Sequence, residues 1–168
     1  MRFENESSDQ WSEEDISKSP VEINHLAQNL VDSFSSRLEN YNIRVETDLP
    51  MVTADVFPTV IHRAVANLLE NAIDSMPTGG ELLVTLVDCR HQWELEIADT
   101  CSKHVQPRQG FVAESEPVRM QPMQNQRKLE VANSAAMIHG GQVQTWECPQ
   151  GGTANVLVIP RFALRNAT

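Results

Sequence analysis

Cysteine is scarce in this chain and carries no pattern: Cys89, Cys101 and Cys148 are odd in number, far apart and outside any C-x-x-C pair. That argues against a disulfide framework or a zinc site and makes a reducing cytoplasm the simplest home. Basic charge is also thin, with 13 Lys and Arg against 23 Asp and Glu and a net charge of −10. Phosphate-backbone binding draws most of its affinity from Lys and Arg, so nucleic acid is not an expected partner. No apolar run is long enough for a membrane span, and the N-terminal stretch is acidic instead of basic-then-apolar, so neither a membrane nor a signal peptide is expected.

What is present fits one domain: 168 residues with 40% hydrophobic composition can build a sizeable core. Residues 1 to 24 hold seven acids against Arg2 and Lys18, so −5 of the net −10 sits there. Residues 1 to 19 are rich in Ser, Asn, Asp and Glu, with isolated Phe3 and Trp11, and are expected to form a mobile acidic tail that can carry a docking helix. From Pro20 the spacing of Ile23, Leu26, Ala27, Leu30, Val31, Phe34 and Leu38 predicts a helix with one apolar stripe. "NIRVETDLP" reads as a strand. Asp55 is placed to cap a second helix, with Pro58 in its first turn and Val60, Ile61, Ala64, Val65, Leu68, Leu69, Ala72 and Ile73 along its apolar side. "ELLVTLVDC" and "WELEIAD" alternate as a hairpin, "RKLEVANSAAMIH" predicts a third helix closed by Gly140 and Gly141, and "QVQTWE" with "ANVLVIP" predicts a final hairpin. Five strands with three helices on one face make an α+β two-layer sandwich, with a site between helices.

The second helix carries an anomaly. "VANLLENAIDSM" places Asn67, Asn71 and Asp74 along one stripe that Arg63 extends. The asparagines either cap loops or meet solvent, or they supply carboxamide oxygens to a hydrated magnesium ion, which favours hard oxygen donors and bridges to nucleotide phosphates.

The order "NLLENAIDSMPTGGEL", "ELEIADT", "MIHGG" and "GGTANVLVIPR" resembles the histidine-kinase-like ATPase domain, the Bergerat-type fold shared with gyrase. The resemblance runs from about residue 22 to 162 and looks closest to nitrogen-regulation sensor kinases. It implies an ATP and magnesium site in which Asn67 and Asn71 form the asparagine box, Asn71 ligates magnesium and Asp74 extends the polar stripe. It also implies that Asp99 accepts the adenine amino group and that Thr153 lies near the adenine pocket. The domain then covers 20–165, with 101–128 in the place of the lid over ATP.

Two departures from the family pattern bear on activity. The family aspartate is followed by glycines as D-x-G-x-G, whereas here Cys101 and Lys103 stand at those positions, and the second G-x-G falls on Gln126-Arg127-Lys128. If all four sites required positive φ, non-glycine residues would cost roughly 4 to 8 kcal/mol in total. The lid segment holds Gln106, Gln109, Gln121, Gln124 and Gln126, three prolines and only Gly110, which reads as an extended surface loop. Lys103, Arg108, Arg119, Arg127 and Lys128 could supply point charges to phosphates in place of a backbone cradle.

A sensor kinase also needs a phosphoacceptor histidine on a dimerising hairpin, for which the residues before 20 are too few. His25 lacks the acidic neighbour and downstream proline of such a box. His139 suits a helix end, where a cation is favoured by the dipole. The primary expectation is therefore a stand-alone degenerate ATP-binding domain, a pseudokinase of two-component or phosphorelay signalling. It would bind a response regulator, kinase or transcription regulator, with ATP binding weak or lost. The alternatives are an active magnesium-ATP-dependent kinase or ATPase of the anti-sigma-factor or sensor-kinase type, and a phosphotransfer protein derived from the same fold.

Overall fold

A computed structural model of the chain describes residues 17–100, 121–149 and 151–161. The tail to residue 16, most of the lid segment, including Cys101 and Lys103, and the C-terminal residues from 162 lie outside the described residues.

The chain enters as a short strand β1 (Ser19–Glu22), where a helix was expected from Pro20, and turns into helix α1 (Ile23–Ser33). The predicted apolar stripe is split at Phe34, beyond which α2 (Ser35–Asn40) follows. Strands β2 (Ile43–Asp48) and β3 (Thr53–Val56) lead to α3 (Pro58–Ser75). The predicted hairpin is β4 (Gly80–Asp88) with β5 (Gln92–Asp99). Helix α4 (Gln121–Ile138) precedes the final hairpin of β6 (Gln142–Glu147) and β7 (Thr153–Pro160). Two departures have plain local causes. Asp55 sits inside β3 and does not cap α3, because Thr53–Val56 pairs antiparallel with β1. Helix α4 starts at Gln121, six residues before the expected Arg127, because Pro122 is tolerated in a first turn.

The main sheet runs β2-β4-β5-β7-β6 and is mixed, with β2 parallel to β4 and every other pair antiparallel. It is an α+β sandwich with the helices on one face. Alternation along β5 sends Trp93, Leu95, Ile97 and Asp99 to the buried face. Ile61, Leu68, Leu69 and Ile73 of α3 pack into the same core, each at most 1% exposed. Each such side chain contributes about 1.5–3 kcal/mol on burial. Helix α4 meets this layer through Ala132, Ala135 and Ala136, whose small side chains allow close approach. Gly140, at φ +76, ends α4 as expected, and Gly141 N–H donates to Ala136 O at 2.9 Å. Among the described residues, no helix is long and apolar enough to cross a membrane.

Candidate functional site

The polar stripe on α3 is real, but its members are in different states. Asn67 is half-buried and its Nδ2 donates back to Arg63 O at 2.8 Å. Asn71 is 7% exposed, and its buried Oδ1 has no hydrogen-bond partner among the described residues. An orphaned buried acceptor costs about 1–3 kcal/mol, a cost that a ligand supplying the missing partner would remove.

Asp74 is already engaged. Its Oδ1 accepts from Arg37 Nη2 at 2.7 Å, and its Oδ2 accepts from Lys128 Nζ. The same ammonium lies 3.2 Å from Glu70 Oε2, one turn back along α3. Lys128 is 19% exposed and Asp74 24%, so that pair is partly shielded from water, whereas Glu70 is 38% exposed. The cluster joins α2, α3 and α4 with two cations against two carboxylates, on either side of Asn71 in sequence.

The second half of the site is built by the sheet. Asp99, 2% exposed, closes the inward row of β5 and stands in register with Leu82 on β4 and Thr153 on β7. Alternation puts Thr153 on the same face, ahead of Asn155, Leu157 and Ile159. Pairing with β4 continues one residue past Asp99: Thr100 N–H donates to Glu81 O at 3.1 Å, and Thr100 Oγ1 accepts Glu81 N–H at 2.8 Å. Gly152 lies directly behind this end at φ +93, where an added Cβ would stand 1.8 Å from Asp99 O. Only glycine fits there, which gives the "GGT" motif a physical role beside Asp99.

Toward an adenine base these residues fit: a buried carboxylate, a threonine beside it across the ladder, and a glycine that brings two backbones together. Toward magnesium and a triphosphate they do not. Asn71 Oδ1 is an unpartnered oxygen, but it is buried and the flanking carboxylates hold an ammonium. Gln126 and Lys128 lie inside α4, past its first four residues, so their N–H groups belong to the helix ladder and cannot turn toward phosphate. The cost expected from positive φ at these two positions does not arise, because helix replaces the turn. Of the cations proposed to rescue phosphate binding, Lys128 is held by Glu70 and Asp74, while Arg127 is exposed.

His139 corrects the expectation of a helix-end cation. Its Nε2 accepts the N–H of Phe57, the residue before α3, at 2.9 Å, and its Nδ1 lies 2.8 Å from Ala135 O. One nitrogen accepting and the other donating defines a neutral ring. Burial holds its pKa below the ordinary value, with Lys18 adding to the effect against the Ala135 hydrogen bond. His25 pairs with Glu22 at 2.8 Å on the exposed face of α1.

Glu70 and Arg37 were not singled out by sequence, nor was the destination of Lys128. Glu70 and Asp74 are separated from Lys128 by 58 and 54 residues, so no local periodicity reports the cluster.

The profile of the family described as histidine kinase-, DNA gyrase B-, and HSP90-like ATPase matches residues 58–163. No curated protein matches the chain. Among solved structures, the mycobacterial sensor histidine kinase MprB is 22% identical, with a TM-score of 0.65 over 85% of this chain and 97% of that one. The ATP binding domain of PrrB from Mycobacterium tuberculosis is 20% identical, with a TM-score of 0.60 over 88% and 99%. Histidine kinase ThkA in complex with response regulator protein TrrA is 17% identical, with a TM-score of 0.62 over 86% of this chain and 42% of that one. At these identities the likeness is one of fold.

Proposed function

Because the chain belongs to the histidine kinase-, DNA gyrase B- and HSP90-like ATPase family, we propose that it is a histidine-kinase-type domain with an impaired nucleotide site, acting in two-component signalling by binding another protein. The observation that carries this reading is the Lys128 ammonium held between Glu70 and Asp74, the two carboxylates that flank Asn71 in sequence on α3. A resident ammonium there adds fixed positive charge on the part of α3 that carries Asn71, which opposes a second cation, and a helical backbone at Gln126 and Lys128 offers phosphate no N–H cradle. The retained asparagine stripe, Asp99 and Thr153 then mark ancestry, and the domain is a pseudokinase. Its partner in this reading is a response regulator, as for ThkA with TrrA, or a kinase or transcription regulator. The nitrogen-regulation likeness of the asparagine-box text belongs to the same reading.

A second reading, an active magnesium-ATP-dependent kinase or ATPase, is favoured by the orphaned Asn71 Oδ1 and by the adenine-type end around Asp99 and Gly152. Calorimetric titration of magnesium-ATP into the natural chain, Asn71→Ala and Lys128→Ala separates the two. The proposal expects no saturable binding by the natural chain below several millimolar, and tighter magnesium or nucleotide binding once Lys128 is removed. Sub-millimolar binding by the natural chain that Asn71→Ala abolishes would overturn it, since a ligand selective for the native state also raises stability by mass action.

A further inference from the structure

A groove of about 440 Å³ runs between α3 and α4 on the outer side of the helix layer. Val60, Val131, Ala135 and Ile138 form its apolar floor, and the side chains of Arg63 and Arg127 also line it. Glu130 adds one carboxylate, which the Gln126 amide contacts at 3.2 Å, leaving one net positive charge along the groove. That is unusual on a chain of net charge −10. Ile138 is 57% exposed, a large apolar side chain left facing water.

The chain itself supplies a segment of matching chemistry that emerges at one end of this groove. Strand β1 runs antiparallel to β3 with Ser19 opposite Val56, so the residues before Ser19 are directed toward the start of α3. Lys18 Nζ lies 5.5 Å from the centre of the Phe57 ring, and that ring meets His139 edge-on at 5.3 Å. Val60 follows Phe57 within one turn and Ile138 adjoins His139, so the point where the described chain begins is next to two groove-lining residues. The preceding residues 1–16 carry Glu4, Glu6, Asp9, Glu13, Glu14 and Asp15 around Trp11. From residue 17 back to Trp11 an extended chain reaches about 20 Å, and the groove from Ile138 to Arg127 along α4 is about 16 Å long.

We propose that the acidic N-terminal segment docks in cis into the α3–α4 groove, with the Trp11 indole on the Val60–Val131–Ile138 floor and its carboxylates on Arg63 and Arg127. A groove of this size accommodates an indole, and tryptophan combines a large apolar surface with little entropy loss on binding. The proposal goes beyond the nucleotide reading and does not depend on it: the groove lies on the outer side of the helices, whereas Asp99 lies on the face of the sheet that the helices cover.

The test uses the full chain labelled with 5-fluorotryptophan, whose fluorine resonances come from Trp11, Trp93 and Trp146. Trp11 is assigned by its loss in Trp11→Phe, and a synthetic peptide of residues 1–18 gives its free position. Docking predicts a Trp11 resonance displaced from the peptide position and broadened several-fold less by a soluble gadolinium chelate. Arg63→Glu with Arg127→Glu, or high salt, should return it to the peptide position while the fully buried Trp93 resonance stays in place. Reversal of Glu13, Glu14 and Asp15 to Lys leaves every described residue unchanged and should release Trp11 in the same way. A Trp11 resonance already at the peptide position in the natural chain would overturn the proposal, including the case in which another molecule fills the groove. So would a displaced resonance that neither set of reversals moves.

Discussion

The Phe57 amide donates to His139 Nε2 at 2.9 Å across 82 residues of sequence, so the start of α3 is closed by the end of α4. Phe57 offers no side-chain cap, and the histidine ring takes up a backbone donor that would otherwise be left over at the helix start. The arrangement works only with a neutral ring, and burial lowers the His139 pKa from 6.5.

The pH dependence follows with a definite sign. The folded state binds the His139 proton less readily than the unfolded chain, so the stabilisation is fully present above pH 6.5 and is lost as pH falls through the lowered folded value. His139→Gln should unfold with a shallower loss of stability between pH 7 and 5 than the natural chain, and should cost about 1–3 kcal/mol at pH 8. Urea denaturation at a series of pH values measures both. Parallel curves for the two proteins would refute the role given to the ring.

Two glycines with similar backbone angles should respond very differently to alanine. At Gly152 a Cβ would stand 1.8 Å from Asp99 O, whereas at Gly140 it would meet nothing within 4 Å. Gly140→Ala should therefore cost only the left-handed backbone term, about 1–2 kcal/mol. Gly152→Ala should exceed it and should disturb the β5 end, because both strands must move apart. Equal losses in chemical denaturation would mean that the Asp99 end is not held by this contact.

Asn71 offers a test that runs against the usual expectation for a buried residue. Removing a large buried side chain commonly costs about 2–5 kcal/mol, but here Oδ1 has no partner to lose. Asn71→Ala should leave the melting temperature of the ligand-free protein within a few degrees of the natural value, equivalent to about 1 kcal/mol or less. A large drop would show that the carboxamide is a structural element and not a site kept for a ligand.

On the sheet, Thr145 Oγ1 donates to Asn155 Oδ1 at 2.9 Å, and Asn155 is completely buried, its Nδ2 unpaired among the described residues. Thr145→Val keeps the shape of the side chain and strands the remaining acceptor. A loss of about 1–3 kcal/mol is expected, and a double variant with Asn155→Val should recover part of it. Thermal unfolding of the single and double variants checks the pairing; no recovery would count against it.

The alternation of Trp93, Leu95 and Ile97 and the apolar spacing of α3 were legible because each repeats within a few residues, and burial needs only one face of a strand or helix. The asparagine stripe was legible for the same reason. The small β1–β3 sheet was not, since Ser19–Glu22 becomes a strand only by pairing with Thr53–Val56 across the chain. Nor was the start of α4, where helix overran a stretch whose glutamines and prolines read as loop.

Composition and periodicity by themselves determined the two-layer architecture and the polar stripe of Asn67 and Asn71 on its second layer, because backbone hydrogen bonding and one-sided burial act over short stretches, whereas Asp99 and Thr153 were marked out only by the resemblance to the ATPase family. Tertiary packing decided the chemical state of those places. It brought Lys128 against Glu70 and Asp74, left Asn71 Oδ1 without a partner and kept His139 neutral. Charge pairing and desolvation depend on which groups converge in space, and for these residues the converging groups come from separate helices.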